Sequence, residues 1–358
     1  MDIENKLDLI KQVGEEIITE EDLKKLLQTK SHPIAYDGFE PSGTTIHIAQ
    51  GLLRAININK MTKAGVKFNM LVADWHAWAN NKMGGNLEHI QKVGRYLIEV
   101  WRACDMDLDN VKFTWANDFI KDPEYWKILM QVARNNTVKR ILRCSEIMGR
   151  LESESLQASQ IIYPCMQCTD IFWQKCDITQ LGMDQRRVNV LAREIGPKLG
   201  FWKPVVVSHH MLMGLSEPPR TTNTVKRAIE MKMSKSKPEN AIFMNDPEEK
   251  IKTKINKAYC PVKVVEENPI MEYCRYIIFE KFKTMEIKRP KKFGGDITLG
   301  SYEDLKNVYS QGKLHPMDLK SAVSSYLNEL LDPVREKLAK NNTAHKLMQD
   351  IKTFNVTG

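Results

Sequence analysis

Among the 358 residues no apolar run approaches the ~18 needed to cross a bilayer, which excludes a membrane-spanning helix as the organising element. The opening "MDIENKLDLI" has no basic region, no long apolar core and no cleavage site, so it does not read as a secretory signal. Both common phosphate-cradling fingerprints are missing: there is no G-x-x-x-x-G-K-[ST] and no G-x-G-x-x-G. No internal repeat or low-complexity segment is present, which sets aside solenoids and disordered scaffolds. Cysteine is sparse and odd in number, at seven. Cys165 and Cys168 form a C-x-x-C, but no second pair repeats the spacing; the two fit a packed helix face as well as a zinc or redox site. The seven read as reduced thiols in a cytoplasmic protein.

What is present describes a globular chain. Hydrophobic residues make up 42% and charged residues 27%, and the length suggests about two domains at ~150 residues each. The net charge of +8 is a mild bias toward polyanions. The segment "KFKTMEIKRPKKFGGD", residues 281–296, holds six basic residues against two acidic ones, with Phe293 and a glycine pair after the lysines. Basic charge beside a ring suits nucleic acid, where charge holds phosphate and the ring stacks on a base. By itself the segment also fits a solvated loop.

Residues 3–30 carry helical apolar spacing at Leu7, Ile10, Ile17, Leu23 and Leu27. "IAYDGF" then reads as a buried strand, followed by the turn "PSGTT" and a helix from about residue 47 to 64. "KFNMLVADW", "VKFTWA", "CDITQLG" and "VVVSHHMLM" are further strands, with helical stretches between them. That alternation predicts an α/β fold: a Rossmann-like parallel-sheet catalytic domain with a helical insertion, followed by a mainly α-helical C-terminal domain. The expected divisions are an N-terminal helical segment at 1–32, the catalytic domain at 33–238 with its insertion at about 123–176, and a helical domain at 239–358.

Two stretches raise the question of phosphate. "MKMSKSKPEN", residues 231–240, places Lys232, Lys235 and Lys237 among serines before Pro238 stops any helix. This fits a solvated basic turn, and it also fits a mobile loop that neutralises phosphates. After the first expected strand, Gly38 and Gly43 permit close backbone approach, and His47 falls at a helix start, where backbone N–H groups favour an anion. His47 alone also fits a surface histidine.

Together these two elements resemble the nucleotide motifs of class I aminoacyl-tRNA synthetases, known in one-letter form as HIGH and KMSKS. The second is complete at Lys232, Met233, Ser234, Lys235 and Ser236. The first is degenerate, "HIAQ", with Ala49 in place of glycine and Gln50 in place of the second histidine. "AYDGFEPSG", "IIYPCMQCTDIF", "GMDQRR", "KAYCPVKVVEENPIMEY", "RPKKFGGD" and "LHPMDLKSAV" narrow the resemblance to tyrosyl-tRNA synthetases of the archaeal and eukaryotic type. It runs from about residue 33 to 335.

The resemblance implies ATP as substrate with Mg²⁺ carried by the nucleotide, no protein-bound metal, L-tyrosine and tRNA(Tyr) as partners, and a homodimer through residues 123–176. It assigns Tyr36 and Asp170 to the substrate phenol, and Tyr163, Gln167 and Gln185 to its amino and carboxylate end. Helical spacing independently puts Tyr163, Gln167 and Asp170 on one face. His47, Gln50, Lys232, Ser234 and Lys235 become the catalytic set. Gly38, His47, Asp184, Lys232 and Lys235 become the ATP site, with Asp184 on the ribose. Arg186 is implied to contact the acceptor stem, and Phe293, His315 and Asp318 the anticodon. Read without the family, His315 and Asp318 fit a helix start after a turn. A tryptophanyl-type enzyme is one alternative reading, and a synthetase-like RNA-binding protein with impaired catalysis is another. A nucleotidyltransferase of the same fold that charges no tRNA is a third.

Overall fold

In the computed structural model, which describes residues 1–149 and 155–354, six strands make one sheet: β1 (Gly14–Ile18), β2 (Ile34–Phe39), β3 (Lys67–Val72), β4 (Val111–Trp115), β5 (Ile178–Gly182) and β6 (Val205–His209). Their spatial order is β1-β6-β5-β2-β3-β4. β2 through β6 run parallel, and β1 joins antiparallel at the edge beside β6. β5 is buried along its whole length, as a parallel strand covered on both faces must be. The chain winds outward from β2 through β3 to β4, then returns to the other side of β2 with β5 and β6. The reversal lies between β2 and β5, and open α/β sheets bind ligands at such a switch point, beyond the carboxyl ends of the strands. Only Ala35 and Tyr36 pair across this seam, with Ile178 and Thr179, so the two strands part toward those ends and leave a crevice.

Helices cover the sheet at close range. Leu87–Ala103 presses on β3 and β4 at Gly94, where a Cβ would lie 2.8 Å from Val72 Cγ1 and 3.0 Å from Trp115 Cη2. Within residues 123–176 stand Pro123–Arg134, Val138–Leu142 and Ala158–Trp173. The last of these feeds directly into β5 and forms a wall of the crevice.

One expectation needs correcting. The helical spacing read across residues 3–30 breaks into two helices, Ile3–Lys11 and Glu20–Thr29, with β1 between them. Leu7, Ile10, Leu23 and Leu27 are buried helical residues, whereas Ile17 belongs to the strand and fell in step with them by coincidence. The second helix has its own start signal: Thr19 Oγ1 accepts from the Asp22 N–H at 3.1 Å.

Beyond the lysine loop the chain is mainly helical. Glu248–Lys257, Pro269–Tyr273, Tyr302–Ser310, Pro316–Lys340 and Asn342–Lys352 surround a small antiparallel hairpin, β7 (Met285–Ile287) with β8 (Ile297–Leu299). The hairpin loop, residues 288–296, holds the second half of the basic segment. One apolar core runs from Ile48 and Leu52 through Phe243 and Met244 to Ile251, Leu327 and Leu331. His210, just after β6, joins three stretches of chain: Nδ1 lies 3.0 Å from Glu15 Oε2, Nε2 lies 3.0 Å from Glu272 Oε2, and the ring stacks on Tyr276. Among the described residues no helix is long and apolar enough to cross a membrane.

Candidate active site

The crevice floor is polar where a core would be apolar. Asp170, fully buried on the helix Ala158–Trp173, takes a hydrogen bond from the Tyr125 hydroxyl at 2.9 Å and a longer one from the Tyr36 hydroxyl at 3.4 Å. His76 Nε2 lies 2.8 Å from Asp170 Oδ2, and its ring stands edge-on to Tyr163. Burial raises the Tyr36 phenol well above its ordinary value, and the Asp170 charge adds to that, so Tyr36 stays a neutral donor. One helical turn back, Gln167 Nε2 donates to Gln185 Oε1 at 3.1 Å, and Gln185 Nε2 donates to Ile147 O at 3.0 Å. Tyr163 is buried and bonded to the Glu40 carboxylate; burial first, and then that charge, push its phenol well up. Of the five residues assigned to tyrosine, Tyr163, Gln167 and Asp170 share one helix, Tyr36 reaches Asp170 and Gln185 reaches Gln167. Gly38 packs against this cluster: a Cβ there would lie 3.1 Å from the Tyr36 hydroxyl.

The upper rim carries the charges. Lys232 Nζ bonds Asp184 Oδ2 at 2.7 Å. Burial alone pushes Asp184 up, but that ammonium outweighs it and holds the carboxyl below its usual range. Lys235 Nζ donates to Ser42 O at 3.2 Å, and burial, opposed by Glu40, brings it down to about 8. His47 is buried within reach of the charge of both lysines. Burial, then Lys235, Lys232 and Arg54, hold it well below its ordinary value, so its imidazole is neutral, and Nδ1 has no partner among the described residues. The Gln50 backbone carbonyl takes the Trp101 indole N–H at 2.7 Å, while the side-chain Oε1 is buried and has no partner among the described residues. Ser234 Oγ lies 2.9 Å from Ser236 Oγ, within the loop itself. A cavity of about 430 Å³ opens beside Lys235, bounded by Gly43, Thr44, Thr45, Phe243 and Lys250.

The remaining assigned residues lie away from this crevice. Arg186 starts the next helix and grips Glu16 of β1 bidentately, at 2.6 and 3.0 Å. Phe293 is 61% exposed at the hairpin tip, with Lys292 Nζ 5.0 Å from its ring centroid. His315 is the N-cap of Pro316–Lys340, its Nδ1 accepting from the Met317 N–H at 3.2 Å, and Asp318 sits in the first turn. The helix-start reading of these two is thus their local geometry. Arg289 NH1 donates to Lys313 O at 2.8 Å and ties the hairpin loop to that end of the helix.

Sequence reasoning missed His76, Tyr125, Glu40 and the Asp37–Arg54 pair. Arg54 Nε lies 3.3 Å from Asp37 Oδ2, yet burial still lifts Asp37 to about 6. These partners come from separate elements, and no spacing pattern links them. The one available signal was a polar residue inside an apolar stretch, as with Asp37 in "IAYDGF".

The model for class I tRNA synthetases (W and Y) matches residues 28–332. A relative in Arabidopsis thaliana, tyrosine–tRNA ligase 1, cytoplasmic, is 48% identical over 359 aligned residues, covering 99% of this chain and 90% of its own. The solved structure of tyrosyl-tRNA synthetase complexed with L-tyrosine from Pyrococcus horikoshii superposes with a TM-score of 0.90 at 39% identity, covering 98% of this chain and 100% of that one. The Leishmania major tyrosyl-tRNA synthetase in complex with tyrosinol gives 0.89 at 41% identity, with 99% of this chain and 66% of that chain covered. On that extent of likeness, the chain belongs to the class I tRNA synthetases, in their tyrosyl branch.

Proposed function

We infer that this chain is a tyrosine–tRNA ligase, activating L-tyrosine with ATP and passing it to the 3′ end of tRNA(Tyr). The observation that carries the tyrosine half is the buried Asp170 carboxylate beside the neutral Tyr36 hydroxyl. A substrate phenol arriving there both donates to Asp170 and accepts from Tyr36. Phenylalanine offers neither the donor nor the acceptor, and buries its apolar ring edge against these two polar groups. Tyrosyl-tRNA synthetases are themselves the standard example of this discrimination, rejecting phenylalanine by about 10⁵, a figure that belongs to that example and not to the geometry described above.

In the first step a tyrosine carboxylate oxygen attacks the α-phosphorus, the bond to the β-phosphate breaks, and pyrophosphate leaves. Tyr163, Gln167 and Gln185 orient the amino acid, and Asp184 takes the ribose. Lys232, Lys235, Ser234 and the neutral His47 stabilise charge on the departing phosphates, with Gly38 allowing close approach and Gln50 supporting the His47 turn. A ribose hydroxyl on Asp184 competes with Lys232 for the carboxylate, and release of that pair frees the lysine for phosphate. Mg²⁺ accompanies ATP. In the second step a terminal ribose hydroxyl of tRNA attacks the adenylate carbonyl and AMP leaves. Arg186, released from Glu16, meets the acceptor stem, and Phe293, His315 and Asp318 meet the anticodon. Trp126, Met130, Val138 and Ile162 leave apolar surface exposed in residues 123–176, which supports a homodimer through that segment. Cytoplasmic residence fits the Arabidopsis relative's name.

The test is amino-acid-dependent ATP–pyrophosphate exchange. Exchange with tyrosine alone is expected. Exchange with tryptophan, or with no amino acid, overturns the assignment of the pocket.

A further inference from the structure

The segment that follows the lysine loop is anchored more heavily than a connector requires. Its residues 242–244 run antiparallel to 46–48: the Ile48 N–H donates to Ile242 O at 2.9 Å, the Met244 N–H donates to Ile46 O at 2.8 Å, and His47 stands opposite Phe243. The main chain of His47 is therefore set by this short stretch. The stretch is held in turn from behind. The Phe243 N–H donates to Asp246 Oδ2 at 3.0 Å. Lys254, buried on the helix Glu248–Lys257, donates to the same oxygen at 2.7 Å and to Ala241 O at 2.7 Å, with its ammonium 4.8 Å from the Phe243 ring centroid. Burying an ammonium is costly unless its partners are well placed, so this knot fixes geometry rather than filling space.

The knot has one handle on the far side. Asp246 O accepts from Arg335 NH1 at 3.0 Å, and Arg335 NH2 is steered by Asn328 Oδ1 at 2.6 Å and Asp332 Oδ1 at 2.8 Å. Arg335 rides on Pro316–Lys340, the helix whose first turn carries Asp318 and whose N-cap is His315. From Asp318 to Arg335 that helix rises roughly 25 Å, at about 1.5 Å per residue. One continuous helix, with Pro333 interrupting its hydrogen-bond ladder just before Arg335, thus has its first turn at the end assigned to tRNA and a later turn on the support of His47.

We propose that Arg335 is a positioning residue for charging. Through Asp246 and Phe243 it links the tRNA-contacting end of its helix to the placement of His47, so that engagement of the correct anticodon raises the catalytic rate as well as affinity. The proposal rests on the reading of His315 and Asp318 as anticodon contacts.

A double-mutant cycle tests it. Wild type and Arg335→Gln are each assayed for charging of a tRNA(Tyr) transcript and of the same transcript with one anticodon base replaced. In wild type the replacement is expected to raise KM and to lower kcat roughly fivefold or more. In Arg335→Gln the KM effect stays and the kcat effect shrinks to under about twofold, with Arg335→Lys between the two. Tyrosine-dependent ATP–pyrophosphate exchange without tRNA keeps its KM for tyrosine in all three proteins. Equal kcat losses in wild type and variant overturn the link while leaving the anticodon reading standing. No effect of the anticodon change on wild type overturns the anticodon reading, and the link with it. If Arg335→Gln fails to fold, Asn328→Ala removes the steering contact and takes its place in the same cycle.

Discussion

At the residue scale the proposed chemistry leans most on Lys235. Its ammonium sits partly buried beside Ser42 O and is brought down to about 8. The group is charged below that value and neutral above it, so kcat/KM for ATP is expected to fall as pH rises through about 8. Lys235→Arg should move that limb toward alkali. Lys235→Ala should lower the adenylation rate on the order of 10²-fold while tyrosine affinity, read by equilibrium titration, hardly moves. An unchanged rate would remove the loop from the mechanism. The lysine motif was legible beforehand because KMSKS is contiguous, and so was the placing of Tyr163, Gln167 and Asp170 on one helix. The partners that complete Asp170 were not. Tyr125 arrives from Pro123–Arg134 and His76 from the short helix Asp74–Ala79 after β3, and only three-dimensional folding puts them on one carboxylate. The state of His47 was illegible for the same reason, since its neutral imidazole follows from burial and from lysines far along the chain.

At the scale of elements, the crevice depends on how closely helices approach the sheet. Gly94 illustrates two opposed effects. Alanine there gains about 1 kcal/mol of helix propensity. Its Cβ would also press on Val72 and Trp115, and overpacking of this kind costs about 1–3 kcal/mol. Val72 is β-branched and held in the central sheet, so we expect the clash to win and Gly94→Ala to lower the urea midpoint. A raised midpoint would mean that the helix shifts freely on β3. The parallel strands were readable as apolar runs between helical stretches. β1 was not, because five residues are too few to break a helical period that its neighbours on both sides continue. The hairpin β7–β8 escaped notice similarly, with three residues in each strand.

At the scale of the whole molecule, two couplings between distant parts of the chain are measurable. His210 is held at about 9: burial alone would lower it, and the carboxylates of Glu15 and Glu272 reverse that. With an unfolded value near 6.5, the stability it contributes is complete below about pH 6.5 and is lost as pH rises through 9, amounting to about 3 kcal/mol at about 1.4 kcal/mol per unit. The stability difference between wild type and His210→Gln, measured by denaturant titration at pH 6 and pH 10, should shrink accordingly; a constant gap would deny the ion pairs their role. The second coupling runs to tRNA. Asp318→Ala should impair charging and leave adenylate formation intact, whereas equal loss in both assays would mark Asp318 as structural. A different consequence follows from the pairing of Gly14 with His209, 195 positions later. A ribosome adding roughly 5–20 residues per second needs about 10–40 s to cover that distance. Through that interval the first strand to emerge has no sheet to join. Glu15 and Glu16 charge its edge meanwhile, a disposition that discourages mispairing with neighbouring nascent chains until β6 arrives to receive it.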